Sequence, residues 1–315
     1  MKPLFLVRTS ARRAAAAATV CLALATTLNC SSKPQARTFA TPEEAVTALT
    51  KATAAGDLKE LVAIFGPESQ SLIDSSDPAT ARRNQQTFAA AVAERWHLED
   101  QGADHRVLVI GNEDWPFPVP LVQEGTRWRF DTAAGSEEVL ARRIGRNELA
   151  AIRICRAYVV AQRLYAQRGH DGQPDGVYAQ AFRSAANRQD GLYWPAAPGQ
   201  KSSPLGDLVA YAAQEGQPLE GNRTAPSPFH GYYFRILKEQ GPDVPGGAKD
   251  YVAGGHMSGG FALVAWPAQY DASGVMTFLV NQDGTIYQKN LGAETDTAVR
   301  AMKAYNPDAL WGAAE

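Results

Sequence analysis

The chain has 315 residues, of which 45% are hydrophobic and 20% are charged. Its length allows about two domains, and its composition excludes a globally disordered protein. Its 31 basic and 33 acidic residues give a formal net charge of −2, so the whole chain lacks the basic surplus that is typical of nucleic-acid-binding proteins.

Residues 1–29 have the pattern of a secretory signal peptide. The apolar run Ala14–Leu28 is short for a membrane span. It follows a basic segment that contains Lys2, Arg8, Arg12 and Arg13. We therefore predict that residues 1–29 are removed on export; the alternative is an amphipathic N-terminal helix.

Cys30 ends the apolar run, and residues 30–37 form a polar linker with serine and proline. This pattern resembles the lipobox of bacterial lipoproteins, although Thr27 and Asn29 stand where a leucine and a small residue are usual. We expect Cys30 to be lipidated, so that its acyl chains anchor the protein to a membrane. Ser31 after the cysteine favours the periplasmic face of the outer membrane. The alternative is ordinary signal-peptide cleavage, which gives a free periplasmic protein.

The predicted leader holds four of the 31 basic residues and no acidic residue, so the remaining chain has 27 basic and 33 acidic residues and a net charge of −6. A net negative charge argues against nucleic acid or an anionic bilayer surface as a partner. We therefore expect membrane attachment through the lipid alone, and no nucleic-acid binding.

Residues 38–135 predict a first α+β domain. A capping box at residues 41–44 begins one helix, Asp57 begins a second, and apolar spacing predicts a third from about Pro78 to His97. Three strands follow, with a hairpin turn between the last two. They are Arg106–Ile110, Pro118–Gln123 and Arg127–Asp131.

Three helices followed by a small antiparallel sheet resemble the NTF2-like and cystatin-like architectures, which often enclose a pocket. Trp115 and Trp128 are therefore candidate ligand contacts of this domain. The alternative is that the aromatic residues simply fill the hydrophobic core.

Residues 136–315 predict a second α+β domain, which begins with helical segments on either side of Gly145. The second segment, Asn147–Gln167, has an apolar stripe that includes Leu149 and Cys155. We predict that Cys155 is a buried and inert thiol. A short helix, Leu205–Ala213, is expected further along the chain.

Four runs rich in aromatic and β-branched residues predict an antiparallel meander packed on the long helix. In the last hairpin, Asp283-Gly284 predicts a tight turn with positive φ angles. The layout of helix, loop and sheet resembles the head of a type IV pilin, an analogy of fold that carries no function. The four runs are Gly231–Leu237, Gly260–Trp266, Val275–Asn281 and Thr285–Lys289.

Two histidines lie in glycine-rich loops whose residue types make them candidates for ligand binding. His170 is in the segment Gly169–Gly176, which is weakly similar to a calcium loop but lacks its alternating carboxylates. His256 is in the glycine-rich segment Gly254–Gly260, where histidine and serine are candidates for acid–base or nucleophilic chemistry. For both segments the alternative is a structural turn.

The sequence contains none of the motifs that mark nucleotide binding, zinc hydrolases, redox dithiols or serine hydrolases. Its five histidines have no metal-ligand spacing. We therefore assign no catalytic residue, cofactor or metal.

Several motifs spread over the chain after the leader resemble the bacterial DUF2950 family. They are Asp114–Pro118, Trp128–Gly135, Arg142–Leu149, Gly231–Leu237 and Tyr287–Gly292. The resemblance implies an exported envelope protein and supplies no catalytic residue.

The leading hypothesis is a lipid-anchored envelope protein that acts as a non-catalytic binding or interaction module, for which an envelope protein is a candidate partner. The alternative is a periplasmic enzyme or small-ligand receptor that uses either the aromatic residues of the first domain or the His256 loop. The segment Arg142–Arg146 is a further candidate for binding an anionic group or for joining the two domains through salt bridges.

Overall fold

A computed structural model describes residues 36–69, 78–196, 202–208 and 228–314, with the side chains of its third helix described from residue 85 onward. The predicted signal peptide and Cys30 lie outside these residues. So does most of the predicted helix Leu205–Ala213, of which residues 206–208 are helical.

The first helices begin where the capping residues predict. In α1 (Pro42–Ala55), the Thr41 side chain accepts a hydrogen bond from the Glu44 backbone N–H at 3.2 Å. In α2 (Leu58–Phe65), Asp57 accepts one from the Glu60 N–H at 3.0 Å. A short 3-10 turn, Pro67–Ser69, follows α2.

The third helix, α3, spans Pro78–Glu94 and is shorter than its predicted extent to His97. Trp96 and His97 instead belong to β1 (Trp96–Asp100), a strand that helical spacing did not predict. The whole of β1 pairs with β2 (His105–Ile110). The hydrogen bonds between these two strands stabilise Trp96 in a strand, although its spacing from Phe88 and Val92 fits a helix.

Three further strands complete the first sheet: β3 (Trp115–Pro116), β4 (Leu121–Glu124) and β5 (Arg127–Phe130). The sheet is antiparallel, with strand order β1-β2-β4-β5, and β3 pairs with β2 at its edge. The second predicted strand thus begins at Leu121, after the prolines. Together with α1 and α2, the sheet encloses a hydrophobic core that includes Ile64 and Leu108.

A single helix of 35 residues, α4 (Thr132–Ala166), replaces the two predicted helical segments. Gly145 does not interrupt it, because one glycine in a helix costs only about 1 kcal/mol and both halves of α4 make tertiary contacts. The second sheet packs on the helix, and Thr132 and Arg142 of the first half donate to the carbonyls of Phe65 and Pro116. Leu149 of the predicted apolar stripe is 56% exposed, whereas Cys155 is fully buried as expected.

The predicted meander is present and forms the centre of a second sheet. Its five strands are β6 (Tyr232–Leu237), β11 (Ala262–Pro267), β12 (Met276–Asn281), β13 (Ile286–Asn290) and β15 (Gly312–Ala313). Their order in the sheet is β15-β13-β12-β11-β6. Helix α4 packs on β11, β12 and β13, and α5 (Thr295–Ala301) packs on β11.

The hairpin between β12 and β13 differs from the predicted tight turn. Gly284 has a positive φ of 88°, but Asp283 does not adopt a positive φ. Four residues therefore separate the strands, and the Asn281 carbonyl accepts a hydrogen bond from the Gly284 N–H at 3.0 Å.

Short strands complete the second part of the chain. They are β7 (Glu239–Gln240), β8 (Lys249–Asp250), β9 (Val252–Ala253), β10 (His256–Met257) and β14 (Ala304–Tyr305). In one sheet, β7 pairs in parallel with β14 and antiparallel with β8, and β9 and β10 form a separate hairpin. None of these strands was predicted, since two residues are too few for a periodic signal.

The helices and antiparallel sheets confirm the α+β fold class. One hydrophobic cluster draws on residues 39–130, and the largest draws on residues 151–311. The predicted domain boundary at residues 135 and 136 falls inside α4, which is continuous between these clusters, and the division into two domains stays a prediction. Among the described residues, no helix has the length and apolar character needed to cross a membrane.

Candidate functional site

A cleft of about 550 Å³ lies beside the C-terminal end of α4. Its volume is within the range of small-molecule binding sites, about 300–1,000 Å³. Most of its lining comes from the irregular segment that follows α4. The lining residues are Tyr165, Gln173, Tyr178, Gln180, Ala181, Arg183, Ser184, Ala185, Arg188 and Asp190.

Gln162 of α4 fixes one wall of the cleft. Its side-chain carbonyl accepts a hydrogen bond from the Ala179 N–H at 2.9 Å, and its amide nitrogen donates to the Ala179 carbonyl at 2.8 Å. Both residues are buried. Because Ala179 lies between Tyr178 and Gln180, this contact holds two lining residues in place.

A second wall of the cleft is a folded-back segment. The Ser184 N–H donates to the Tyr193 carbonyl, the Tyr193 N–H donates to the Phe182 carbonyl, and each distance is 2.8 Å. Gly191 is required here, because a Cβ at this position would lie 2.6 Å from the Arg183 carbonyl carbon. The wall is therefore built from backbone hydrogen bonds.

The charges at the cleft are paired. The Arg188 Nε lies 3.0 Å from Asp190 and 3.5 Å from Asp171. Asp190 also accepts a hydrogen bond from the Ala185 N–H at 2.9 Å, and Asp171 accepts one from the Gln189 N–H at 2.7 Å. Both carboxylates are thus held by backbone as well as by the guanidinium group.

Tyr165 lines the cleft and is only 2% exposed. Its hydroxyl donates to the Gln189 carbonyl at 2.9 Å. Burial, with smaller contributions from Asp171 and Asp190, raises the pKa of Tyr165 to about 12. The phenol is therefore a neutral hydrogen-bond donor at physiological pH.

His170, a candidate from the sequence, lies next to this cleft but does not line it. Its ring stacks on Tyr165 with centroids 4.2 Å apart and is tilted against Trp194 at 5.5 Å. Its nitrogens lie 3.3 Å from the Gln189 Oε1 and 3.2 Å from the Tyr165 carbonyl. Both nitrogens have protein partners, so the ring acts here as packing for the wall.

His256, the second candidate, is exposed in β10 and belongs to the β9–β10 hairpin. Gly254 and Gly255 form its turn, with positive φ angles of 57° and 83°. Two hydrogen bonds of 2.8 Å join this hairpin to lining residues of the cleft: the Gln180 side chain donates to the Gly255 carbonyl, and the Tyr178 N–H donates to the Met257 carbonyl.

The aromatic residues of the first sheet pack against one another. Trp128 is 7% exposed in the core, beneath the Arg106 guanidinium at 5.2 Å from its ring. Phe117 contacts Phe130 with ring centroids 6.2 Å apart. Trp115 is 45% exposed on the edge strand β3. These two tryptophans lie apart from the cleft, and Trp128 fills a core.

Trp115 instead helps to attach the first sheet to α4. The Arg142 guanidinium lies 5.2 Å from its ring, donates to the Pro116 carbonyl at 2.8 Å and contacts Glu138 at 2.7 Å. Further along α4, Glu148 accepts hydrogen bonds from the N–H groups of Val275 and Met276 at 2.9 and 3.0 Å. The middle of α4 therefore contacts β3 of the first sheet through Arg142 and the start of β12 in the second sheet through Glu148.

The described residues contain no group of three or more histidine, cysteine, aspartate or glutamate side chains placed to hold a metal ion. The loop Gly169–Gly176 is a turn in which Asp171 and Gly172 have positive φ angles. Burial raises the pKa of the Cys155 thiol to about 12, so this cysteine is not a nucleophile at neutral pH.

Sequence patterns missed most of the cleft. Gln173, Tyr178, Gln180 and Arg188 lie in a segment with neither helical nor strand periodicity, so only the glycines at its turns gave a local signal. Their proximity depends on the contact between Gln162 and Ala179.

One family model, described as Protein of unknown function (DUF2950), matches residues 36–314. No match to the chain is found among curated proteins or among solved structures. The analogies with NTF2-like proteins, cystatins and pilin heads therefore stay predictions.

Proposed function

The chain belongs to the DUF2950 family, whose description assigns no activity, and from this premise we propose that it is an exported, lipid-anchored envelope protein that binds a small neutral polar ligand in the cleft at Tyr165. The observation that carries the binding role is the cleft itself, with its prearranged polar lining.

The anchor is proposed from the sequence. The basic and apolar segments of residues 1–29 precede Cys30, and a polar linker follows. A leader with this order directs export, and acyl chains on Cys30 bury enough hydrocarbon for stable attachment. The proposed location is the periplasmic face of the outer membrane.

The polarity of the cleft supports a ligand that carries hydroxyl or amide groups. Arginine, glutamine, serine and tyrosine side chains supply donors, whereas Asp190 and the glutamine carbonyls supply acceptors. A hydroxyl group both donates and accepts, so a polyhydroxylated ligand can pair with both kinds of group. Tyr178 adds an apolar ring surface.

The charge balance supports a neutral ligand over an anion. Two arginines, Arg183 and Arg188, and one aspartate, Asp190, line the cleft. Asp171 lies beside it, and both Asp171 and Asp190 pair with Arg188, so these four groups together carry no net charge. A cleft for a simple anion would have a net positive charge. A small glycan is the ligand class that fits both the volume and this balance.

Binding can be tested by calorimetric titration with N-acetylglucosamine, its β-linked dimer and maltose. We expect saturable binding of at least one sugar and a loss of about tenfold in affinity for Arg188→Gln, because hydrogen bonds to charged groups are the stronger ones. Arg95→Gln is the matched control, since Arg95 is also an exposed arginine paired with an aspartate, Asp114. Absence of binding by every sugar, or equal affinity in Arg188→Gln, would refute the proposed ligand.

The anchor is tested separately by intact mass and detergent partitioning of the protein from a Gram-negative host. We expect a mass increase for an acylated cysteine and partitioning into detergent, both lost in Cys30→Ala. A soluble wild-type product without added mass would contradict the anchor and leave the ligand test unaffected.

A further inference from the structure

The exposed face of α4 is basic and apolar, in contrast to the net negative charge of the chain. Seven residues of α4 from Arg146 onward are exposed, and one of them, Arg163, is bound to the Gln282 carbonyl at 2.8 Å. The other six form what we call the basic ridge: Arg146, Leu149, Arg153, Arg156, Val160 and Leu164. At about 100° of rotation per residue, these six positions fall within an arc of about 80°. They extend for about 27 Å along the helix at about 1.5 Å per residue.

The arginines of the basic ridge have no competing partners. In the described part of the chain, the side chains of Arg146, Arg153 and Arg156 make no hydrogen bond or ion pair. Beyond the first turns of α4, its one carboxylate is Glu148, which is bound to the N–H groups of Val275 and Met276. No carboxylate of the helix therefore neutralises the ridge.

The apolar members of the basic ridge are open to solvent. Leu149 is 56% exposed, Val160 is 55% exposed and Leu164 is 47% exposed. Side chains exposed to this extent on a straight helix project from the surface, whereas residues in a groove would be shielded by its walls. A projecting line of leucine, valine and arginine fits a broad, deformable surface better than it fits a single partner helix.

We propose that the basic ridge contacts the anionic headgroups of a phospholipid bilayer. The arginines pair with lipid phosphates, and the three apolar side chains enter the boundary between headgroups and acyl chains. This inference rests on the envelope location in the proposed function, but it concerns residues that neither the lipid anchor nor the cleft uses. The net negative charge of the chain argued against an anionic bilayer surface, but that sum does not report a local basic surface such as the ridge.

A contact of this kind would orient an anchored protein. Cys30 is six residues before Ala36, so the linker spans at most about 21 Å at about 3.5 Å per residue. In the lipidated protein, Ala36 would therefore lie within about 21 Å of the anchored cysteine. The ridge supplies a second attachment along α4, which would hold the long helix parallel to the membrane.

The test uses the mature chain from residue 30 with Cys30→Ser, exported behind an ordinary cleavable leader so that no acyl chain contributes. Its co-sedimentation is measured with vesicles of phosphatidylglycerol mixed with phosphatidylethanolamine, and with vesicles of phosphatidylcholine alone. We expect binding to the anionic vesicles only. The binding should be lost as ionic strength rises from about 0.01 M to about 1 M, where the Debye length falls from about 30 Å to about 3 Å.

The triple variant Arg146→Gln, Arg153→Gln, Arg156→Gln should lower the partition coefficient about 100-fold, since each arginine near an anionic surface contributes about fivefold. The matched control is Lys51→Gln, Lys59→Gln, Lys303→Gln, which removes the same charge from three exposed lysines outside α4 and should bind as the parent chain does. Thermal unfolding of each variant verifies that it is folded.

Three outcomes would overturn the proposal: no binding of the parent chain to anionic vesicles, equal binding by the two triple variants, or equal binding to phosphatidylcholine. Because Cys30 is replaced in the vesicle experiment, a negative result there does not contradict the proposed lipid anchor. Equally, absence of lipidation in the mass experiment would not contradict binding of the ridge to vesicles.

Discussion

The side-chain amide of Gln162 is bound to both backbone groups of Ala179, with hydrogen bonds of 2.9 and 2.8 Å. The amide nitrogen also donates to the Tyr158 hydroxyl at 3.1 Å. Gln162 is fully buried and Ala179 is 1% exposed, so water cannot replace these bonds. One side chain of α4 thus binds both backbone groups of Ala179, next to the antiparallel bridge between Tyr178 and Met257.

Gln162→Leu should lower the free energy of unfolding by about 2–5 kcal/mol, because it leaves a buried N–H and a buried carbonyl unpaired. Guanidinium denaturation measures the loss. Gln167→Leu is the control, because it makes the same change at an exposed position directly after α4. It should alter the free energy of unfolding by no more than about 0.5 kcal/mol. Similar losses in the two variants would contradict the role of Gln162.

The contact between Gln162 and Ala179 also shows why the cleft was not predicted from the sequence. The meander was predictable, because alternation and bounding glycines are local signals. So were the starts of α1 and α2, which depend on Thr41 and Asp57. A glutamine in an amphipathic helix, however, gives no local sign that it will bind a residue 17 positions later. The cleft depends on that pairing.

The continuity of α4 was missed for a related reason. Gly145 is a weak helix former, and local propensity favours a break there. The clamp by Glu148 on Val275 and Met276 is a tertiary contact that follows from the position of β12. Tertiary contacts on both sides of Gly145 outweigh the small local cost, and the predicted break at Gly145 was wrong.

Two glycines of α4 should respond in opposite directions to substitution by alanine. At Gly145, among the described residues, only the adjacent helix backbone and the chain neighbours surround the position that a Cβ would occupy, whereas a Cβ at Gly135 would lie 2.6 Å from a Val119 methyl group. Gly145→Ala should raise the free energy of unfolding by about 0.5–1 kcal/mol. Gly135→Ala should lower it by about 1–3 kcal/mol through overpacking. Urea denaturation distinguishes the two, and destabilisation by Gly145→Ala would argue against a regular helix at that point.

The Cys155 thiol should make stability depend on pH in the alkaline range. Burial raises its pKa from 9.0 to about 12, so the folded state keeps its proton to higher pH than the unfolded state does. The resulting stabilisation is fully present below about pH 9 and decreases as the pH rises from about 9 towards about 12.

The comparison that isolates this effect is wild type against Cys155→Ala, since the buried tyrosines are common to both. The difference in unfolding free energy between them should shift against the wild type as the pH rises above about 9. Consistent with burial, a thiol reagent should modify Cys155 in guanidinium but not in the folded protein. Rapid modification of the folded protein at neutral pH would show that the thiol is accessible.

Arg235 of β6 should be essential for the attachment of α5. Its guanidinium donates to the carbonyls of Val299 and Met302, the latter at 2.6 Å, at the C-terminal end of α5. The Val299 carbonyl also accepts a hydrogen bond from the Met302 N–H at 3.0 Å. At the first turn of the helix, the Trp266 indole N–H donates to Asp296 at 3.1 Å. The sheet therefore holds both ends of α5.

Arg235→Met keeps an apolar stem but removes the donors, and it should lower the free energy of unfolding by about 2–4 kcal/mol. The Arg235 Nη2 donates to both of these carbonyls, and Nη1 reaches the Arg300 carbonyl at 3.4 Å. Arg235→Lys should recover only part of the loss, because one ammonium nitrogen cannot replace two guanidinium nitrogens held in a fixed plane. Arg300→Met is the control on α5: Arg300 is exposed and pairs with Asp296 one turn earlier, an interaction of about 0.3–0.5 kcal/mol. Guanidinium denaturation measures the free energy of unfolding of the three variants. Full recovery by Arg235→Lys would contradict the role of the guanidinium group, because it would mean that one positive charge is enough to attach α5 to the sheet.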